Sequence, residues 1–444
     1  MSAGAKLGVP SGVGLVVANM VGAGVFLSAG FMAQDLRPLE ILLAWVVGGV
    51  IALCGSRAYA AIAELVPRSG GEYRYLSELV HPLLGYLAGW ASLLVGFAGP
   101  VAVDAYAAGV LIQKLVPGSH PLLTGALIIA GLVAFHSRNM AVSKATQNAM
   151  VALKVLLLVV FLVMGLGFGN TSLPAWEPPA PRDGFPLEAF ASSLFFIAFA
   201  FAGWNAAAYA AEDFSEPRRQ VPRSMLLGCG LVAVAYLLVN FVLVANITPE
   251  MAKVVFNYES ERITLAHVVS SQIVGPSAAQ LVSAAMALAL ISAASAMTFV
   301  GPRVYSAMAR DGYLPAILVG SEGRPPIGSI LLQGAVALLI LFTHGLKDVL
   351  QNVGAILTFF SGLVALSLFY VRLFRPEWPK PAPAALLCAG AYVVAAAWML
   401  YTGLRASSSF WLWSGAFLGL GTLAYVLTGR RRPSESRAAA RPRD

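Results

Sequence analysis

The sequence predicts an all-α membrane protein of twelve transmembrane helices: two sets of five in inverted orientation, then two C-terminal helices. Three observations predict it. Of the 444 residues, 58% are hydrophobic and only 11% charged, too few charges for a water-soluble chain of this size. The apolar residues fall in membrane-length runs separated by polar connections. Two of those runs, five segments apart, are interrupted by glycine: Asn19 to Ala29 (NMVGAGVFLSA) and Phe199 to Asn205 (FAFAGWN).

Taking about 20 apolar residues per crossing, the chain divides into spans at 9–33, 39–63, 83–113, 121–137, 141–168, 186–211, 223–246, 276–308, 326–344, 349–371, 384–404 and 410–428. The third and eighth are long enough to tilt or to project from the bilayer. Residues 63–82 (AELVPRSGGEYRYLSELVHP) form a polar loop in which a short interfacial helix is expected. Residues 170–186 are a proline-rich connection, and 248–276 are long enough for short helices capping one entrance. The basic tail from Arg430, with Pro and Ser, reads as disordered and attracted to anionic lipid. With the N-terminus inside, 21 of the 29 Lys and Arg residues lie on the inner side, 7 on the outer side and Lys154 on neither. Both termini are therefore expected in the cytoplasm, with the chain in the plasma (inner) membrane. Five spans is an odd number, so a second set of five runs through the bilayer in the opposite sense. The expected divisions are residues 1–168, 169–371, 372–429 for the last two spans, and the 430–444 tail.

Several function classes drop out on composition. The net charge of +8 is scattered over loops and one short tail, so no nucleic-acid partner is expected. Cys54, Cys229 and Cys388 lie in apolar runs without metal spacing, so neither a disulfide framework nor a metal site is expected. His81, His120, His136, His267 and His344 are scattered at span ends, and no nucleophile or His/acid set gathers near one interface. The expectation is no cofactor and no enzyme. The first run is too long and too glycine-rich for a signal peptide and reads as retained.

The interruptions carry the chemistry. Glycine inside a helix costs about 1 kcal/mol against alanine, so two within Gly22-Ala23-Gly24 are an expensive choice. Paired breaks in corresponding spans point to a transporter's binding site. Unwinding at Val21, Gly22, Ala23 and Gly24 frees amides at the start of the outer half-helix, which favour an anion such as a carboxylate. The carbonyls from Ala18 to Val21, with those of Phe199, Ala200 and Ala202, suit an ammonium. A zwitterion satisfies both, which argues for an α-amino acid. The competing reading is close helix packing through small residues, and the pairing of the two breaks weakens it. Phe199, Phe201 and Trp204 supply apolar lining and Asn205 an amide.

Two deep ionisable groups stand out. Lys154 sits at the middle of its span, about 20 Å of helix from either end and beyond snorkelling reach. At about 2.5–3.5 kcal/mol to insert, it must face protein or water. Asp104 follows Pro100 in the third span; it could carry a proton, pair with a cation, favour a cationic substrate, or serve only local hydrogen bonding. Glu212, Asp213, Arg218 and Arg310 lie at helix ends and read as gate or scaffold ion pairs.

The motifs resemble the amino acid–polyamine–organocation (APC) superfamily, within it the L-type branch and its bacterial homologues. GAGVF at Gly22 to Phe26 is similar to that branch's GSGIF. FAGWN at Phe201 to Asn205, with AEDFSEPRRQVPRSM at Ala211 to Met225, resembles its aromatic-GWN and acidic-proline signature. AELVPRSGGEYRYL at Ala63 to Leu76 and GPRVYSAMARDGYLP at Gly301 to Pro315 resemble its loop after span two and its end of span eight. Ala23 departs from the usual serine, Asp213 from an expected glutamate, and RPEWPKP at Arg375 to Pro381 from the usual pattern. The resemblance implies a LeuT-like fold and sodium-independent transport of small to medium neutral L-amino acids, apolar or polar, by alternating access, as exchanger or proton-coupled symporter. It implies Phe199 as external gate and Asn205 as substrate contact. It also implies that Lys154 stands where related proteins bind sodium, bridging carbonyls near Gly22 and the hydroxyls of Ser292 and Ser295. Animal L-type chains bind a single-span glycoprotein through an extracellular cysteine. The loop between spans three and four has none, so no disulfide-linked heavy subunit is expected, only a monomer or weak homodimer in lipid. The rivals are a cationic amino acid or polyamine antiporter, which needs more pocket acid than Asp104, and a non-transporting amino acid sensor.

Overall fold

The computed structural model describes residues 6–138, 140–174, 176–179, 184–320, 325–406 and 408–429. Among them all repetitive structure is helical, and the one β-feature is an isolated parallel bridge between Leu7 and Phe214.

The helices follow the apolar runs. The first run is split into α1 (Val9–Met20) and α2 (Ala23–Met32); α3 is Pro38–Leu65. The polar loop folds into α4 (Gly71–Leu79), and the third run into α5 (Pro82–Ala91), a π-turn at Ser92–Phe97 and α6 (Ala98–Leu115). Next come α7 (Pro121–His136) and α8 (Met140–Phe168). The sixth run is split into α9 (Leu187–Ala200) and the short α10 (Ala206–Tyr209), after which α11 spans Pro217–Ala245. The long loop folds into α12 (Pro249–Asn257), α13 (Glu259–Ile263) and α14 (Leu265–Val274). The remainder are α15 (Pro276–Arg310), α16 (Ile327–Thr343), α17 (Leu346–Phe374), α18 (Pro383–Ala406) and α19 (Ser408–Gly429).

Proline in the first turn starts α1, α3, α5, α7, α11, α12 and α15, where its missing N–H costs nothing and its fixed φ suits a helix. Helix α11 begins at Pro217 rather than 223, with Pro222 in its second turn. The π-turn in the third run, after Ala91, has no signal in the hydropathy pattern.

Among the described residues, seven helical stretches, with α1–α2 and α5–α6 each counted as one, are long and apolar enough to cross a membrane. Large apolar side chains point outward, among them Leu127 (74% exposed), Leu281 (73%) and Leu387 (76%), while Lys154, Asp104 and a dozen or more hydroxyls and amides are buried. That distribution suits lipid outside and a polar seam within. The broken pairs form the centre: α2 packs on α9, α1 on α11, and α3, α6, α8, α15 and α17 surround them. At the end where α1 begins, Leu7 N–H donates to the Asp213 carbonyl (2.9 Å) and Leu7 O accepts from Ser215 N–H (3.3 Å). The start of α1 is thus stitched to the chain that follows α10.

Candidate functional site

The first break is two residues long. Val21 (φ −72°, ψ 99°) and Gly22 (φ −146°, ψ −155°) are extended, and α2 resumes at Ala23. Gly22 needs no left-handed backbone, and a Cβ there would meet Ala293 Cβ at 3.5 Å, an ordinary contact. Gly24 is different. Its Cβ would lie 2.5 Å from Ala200 Cα, so α2 and α9 touch backbone to backbone and only glycine fits.

Three side chains satisfy the severed backbone. The Lys154 ammonium, 1% exposed, donates to the Ala18 carbonyl at 3.1 Å. Tyr236 on α11 donates its hydroxyl to the Met20 carbonyl at 2.5 Å. Asp104 on α6, 3% exposed, accepts from the Ala23 amide at 3.1 Å. Lys154 thus sits at the carbonyl end of α1 and Asp104 at the amide end of α2, the placement that helix dipoles favour for a cation and an anion. The Ala23 amide, one of those expected to meet a substrate carboxylate, is held by Asp104, which such a substrate would have to displace.

Among the described residues, neither the Ser292 nor the Ser295 hydroxyl hydrogen-bonds Lys154. Ser295 pairs with His136 Nε2 at 2.8 Å, and the buried Ser292 hydroxyl lacks a hydrogen-bond partner among the described residues. The His136 imidazole on α7 takes the Ser295 hydroxyl, and the Lys154 ammonium takes the carbonyl end of α1.

The second break runs from Phe201 to Asn205. Gly203 adopts φ +107°, and a Cβ there would come within 2.9 Å of the Asn19 carbonyl, so conformation and space both demand glycine. Beside it lies a small, partly open cavity of about 80 Å³, well below the roughly 300–1,000 Å³ of small-molecule sites, so an amino acid enters it only if the break and its neighbours move apart. Ala202 and Asn205 line it, with Phe201, Trp204 and Asn19; Val21, Gly22, Ala23, Gly24, Phe199 and Ala200 do not.

Asn205 does not point freely into this space. Its amide donates to Glu72 Oε1 and to the Tyr209 hydroxyl (3.2 Å). Glu72, on α4, is buried and lines the cavity. Sequence reasoning left it in a polar loop, although Tyr75, Leu76 and Leu79 follow it at helical spacing and place it on the buried face of α4. Sequence reasoning gives Tyr236 no role and sets His136 aside as one of the scattered span-end histidines; a tyrosine or histidine inside an apolar run carries no local mark of its partner.

Two broken helices packed together beside a cavity are an arrangement found in membrane transporters. The amino acid permease family model matches residues 7–426, and the chain belongs to that family, within the APC superfamily near the L-type branch. The large neutral amino acids transporter small subunit 2 of Mus musculus is 26% identical over 438 residues, covering 96% of this chain and 79% of that protein. The b(0,+)-type amino acid transporter 1 of Homo sapiens is 25% identical over 390 residues, covering 85% and 78%. The Asc-type amino acid transporter 1 of Mus musculus is 24% identical over 408 residues, covering 89% and 76%.

Proposed function

We propose that the protein is a sodium-independent secondary transporter of neutral L-amino acids that works by alternating access, as an exchanger or a proton-coupled symporter. In this reading the helices form twelve spans: a 5+5 inverted repeat over 1–168 and 169–371, then two spans over 372–429. Both termini face the cytoplasm from the plasma membrane. The observation that carries it is the Lys154 ammonium on the Ala18 carbonyl at the first break. A fixed positive charge there does what a bound sodium ion would do, which removes the need for the ion. The names of the relatives, neutral amino acids among them, support the substrate class. The substrate's α-ammonium meets free carbonyls of the second break, and its carboxylate competes with Asp104 for the start of α2.

The test is uptake of labelled neutral amino acids into sodium-free proteoliposomes. Acceleration by internal amino acid identifies an exchanger. Accumulation in empty vesicles only under an inward proton gradient identifies a symporter, with Asp104 and Lys154 as the groups that titrate. Uptake that appears only on adding sodium overturns the reading.

A further inference from the structure

The cavity beside the second break has one charged residue among those that line it, and that residue is Glu72. Its carboxylate is held entirely by neutral donors. Oε1 accepts from the Tyr59 hydroxyl (3.0 Å) and the Asn205 amide, and Oε2 from the Tyr209 hydroxyl at 2.5 Å. Among the described residues no basic group lies within ion-pair distance of it. Arg74, two residues along α4, is turned to Glu78 and Asp311 instead.

A carboxylate offers about four acceptor positions, and three are filled. The open position is on Oε2, which among the described residues accepts only from Tyr209, and a buried oxygen with an acceptor position to spare gains from a further donor. The glycines before it bring α4 close: Gly71, at φ +55°, has no room for a Cβ against the Tyr209 ring. The carboxylate is thus pressed to the polar end of a cavity whose other walls are mostly apolar, including Ile51, Phe97, Trp204 and Leu357.

We infer that Glu72 is the specificity-determining residue of a distal subsite, which takes substrates whose side chain ends in a hydrogen-bond donor: hydroxyl, amide or ammonium. This rests on the transport reading for its substrate class and deepens it. The α-groups stay at the breaks, and the side chain reaches along the second break to the open acceptor position of Glu72. A site built around a polar partner rejects the analogue that lacks it far better than an apolar site rejects an added methyl, because rejection leaves a buried group unpaired.

Threonine and valine have nearly the same shape and differ in the donor, so their ratio isolates the effect. Binding of each to the detergent-purified full chain and uptake into proteoliposomes are measured for wild type, Glu72→Gln and Glu72→Asp, with lysine as a cationic arm. Wild type is expected to prefer threonine by at least about tenfold. Glu72→Gln should bring the ratio to within about threefold of one and weaken lysine most, and Glu72→Asp should fall between. Using a ratio cancels any loss of folded protein or turnover common to both substrates. A wild-type ratio near one, or a preference that survives Glu72→Gln, overturns the subsite and leaves transport standing. A threonine preference in binding with no uptake of any amino acid removes the transport reading and leaves the subsite. If Glu72→Gln does not fold, the wild-type ratio and Glu72→Asp decide.

Discussion

The two breaks in the helices do different work. At the first, both ends of the severed helix are met by the protein's own side chains: Lys154 and Tyr236 on the carbonyls, Asp104 on the amide. At the second, the backbone turns through Gly203 beside a cavity, and the neighbouring Asn205 is held by Glu72 from a separate helix. One break is internally compensated; the other opens on a small cavity. A helix can therefore be unwound in a bilayer at modest cost, provided charged and hydroxyl groups from neighbouring helices replace the lost bonds.

Substitutions can break or sharpen that contrast. The largest effect is expected from Lys154→Ala, which leaves the Ala18 carbonyl without its donor and Asp104 without its counter-charge. Removing one partner of a buried pair costs about 3–5 kcal/mol, so thermal melting in detergent should fall sharply and uptake drop at least about tenfold. Adding Asp104→Asn should recover part of the stability; a double mutant no better than the single would mean the two charges are not coupled. Next comes Gly24→Ala, which forces α2 away from α9 at Ala200 and should cost about 1–3 kcal/mol by overpacking. Tyr236→Phe removes a single hydrogen bond and should cost about 1 kcal/mol, read as a small shift in melting with the fold intact. Smallest is Gly22→Ala, whose new Cβ makes only ordinary contacts. A change within about 0.5 kcal/mol is expected, and a large one would show that Gly22, rather than Gly24, is the glycine the break requires.

The sequence made the helices legible because a membrane leaves a strong local signal: long apolar runs, proline at their starts, glycine where they break. Lys154 was legible too, since a charge at mid-span has few places to go. The partner of each buried group was not. Asp104 reaches an amide 81 positions away, and Ser295 reaches His136 rather than Lys154. Such pairings depend on how helices rotate against one another, which periodicity within one helix does not encode. Glu72 lies between these cases. Its helical register with Tyr75, Leu76 and Leu79 was readable, but a carboxylate in a loop with arginines looks like a solvated face until the cavity is seen.

The bridge between Leu7 and Phe214 makes α1 and the chain after α10 one mechanical piece. Two backbone bonds act as a pin, so neither half can swing away without carrying the other or shearing the pin. If the pin holds, torque applied at one break reaches the other at that end of the molecule, as through a shared axle. A rigid fusion directly before Lys6 would load that axle, whereas a long flexible spacer would leave it turning freely. A pair of spectroscopic labels at Leu7 and Ser215 would keep a constant separation through the cycle if the pin holds, and would part if opening requires it to break.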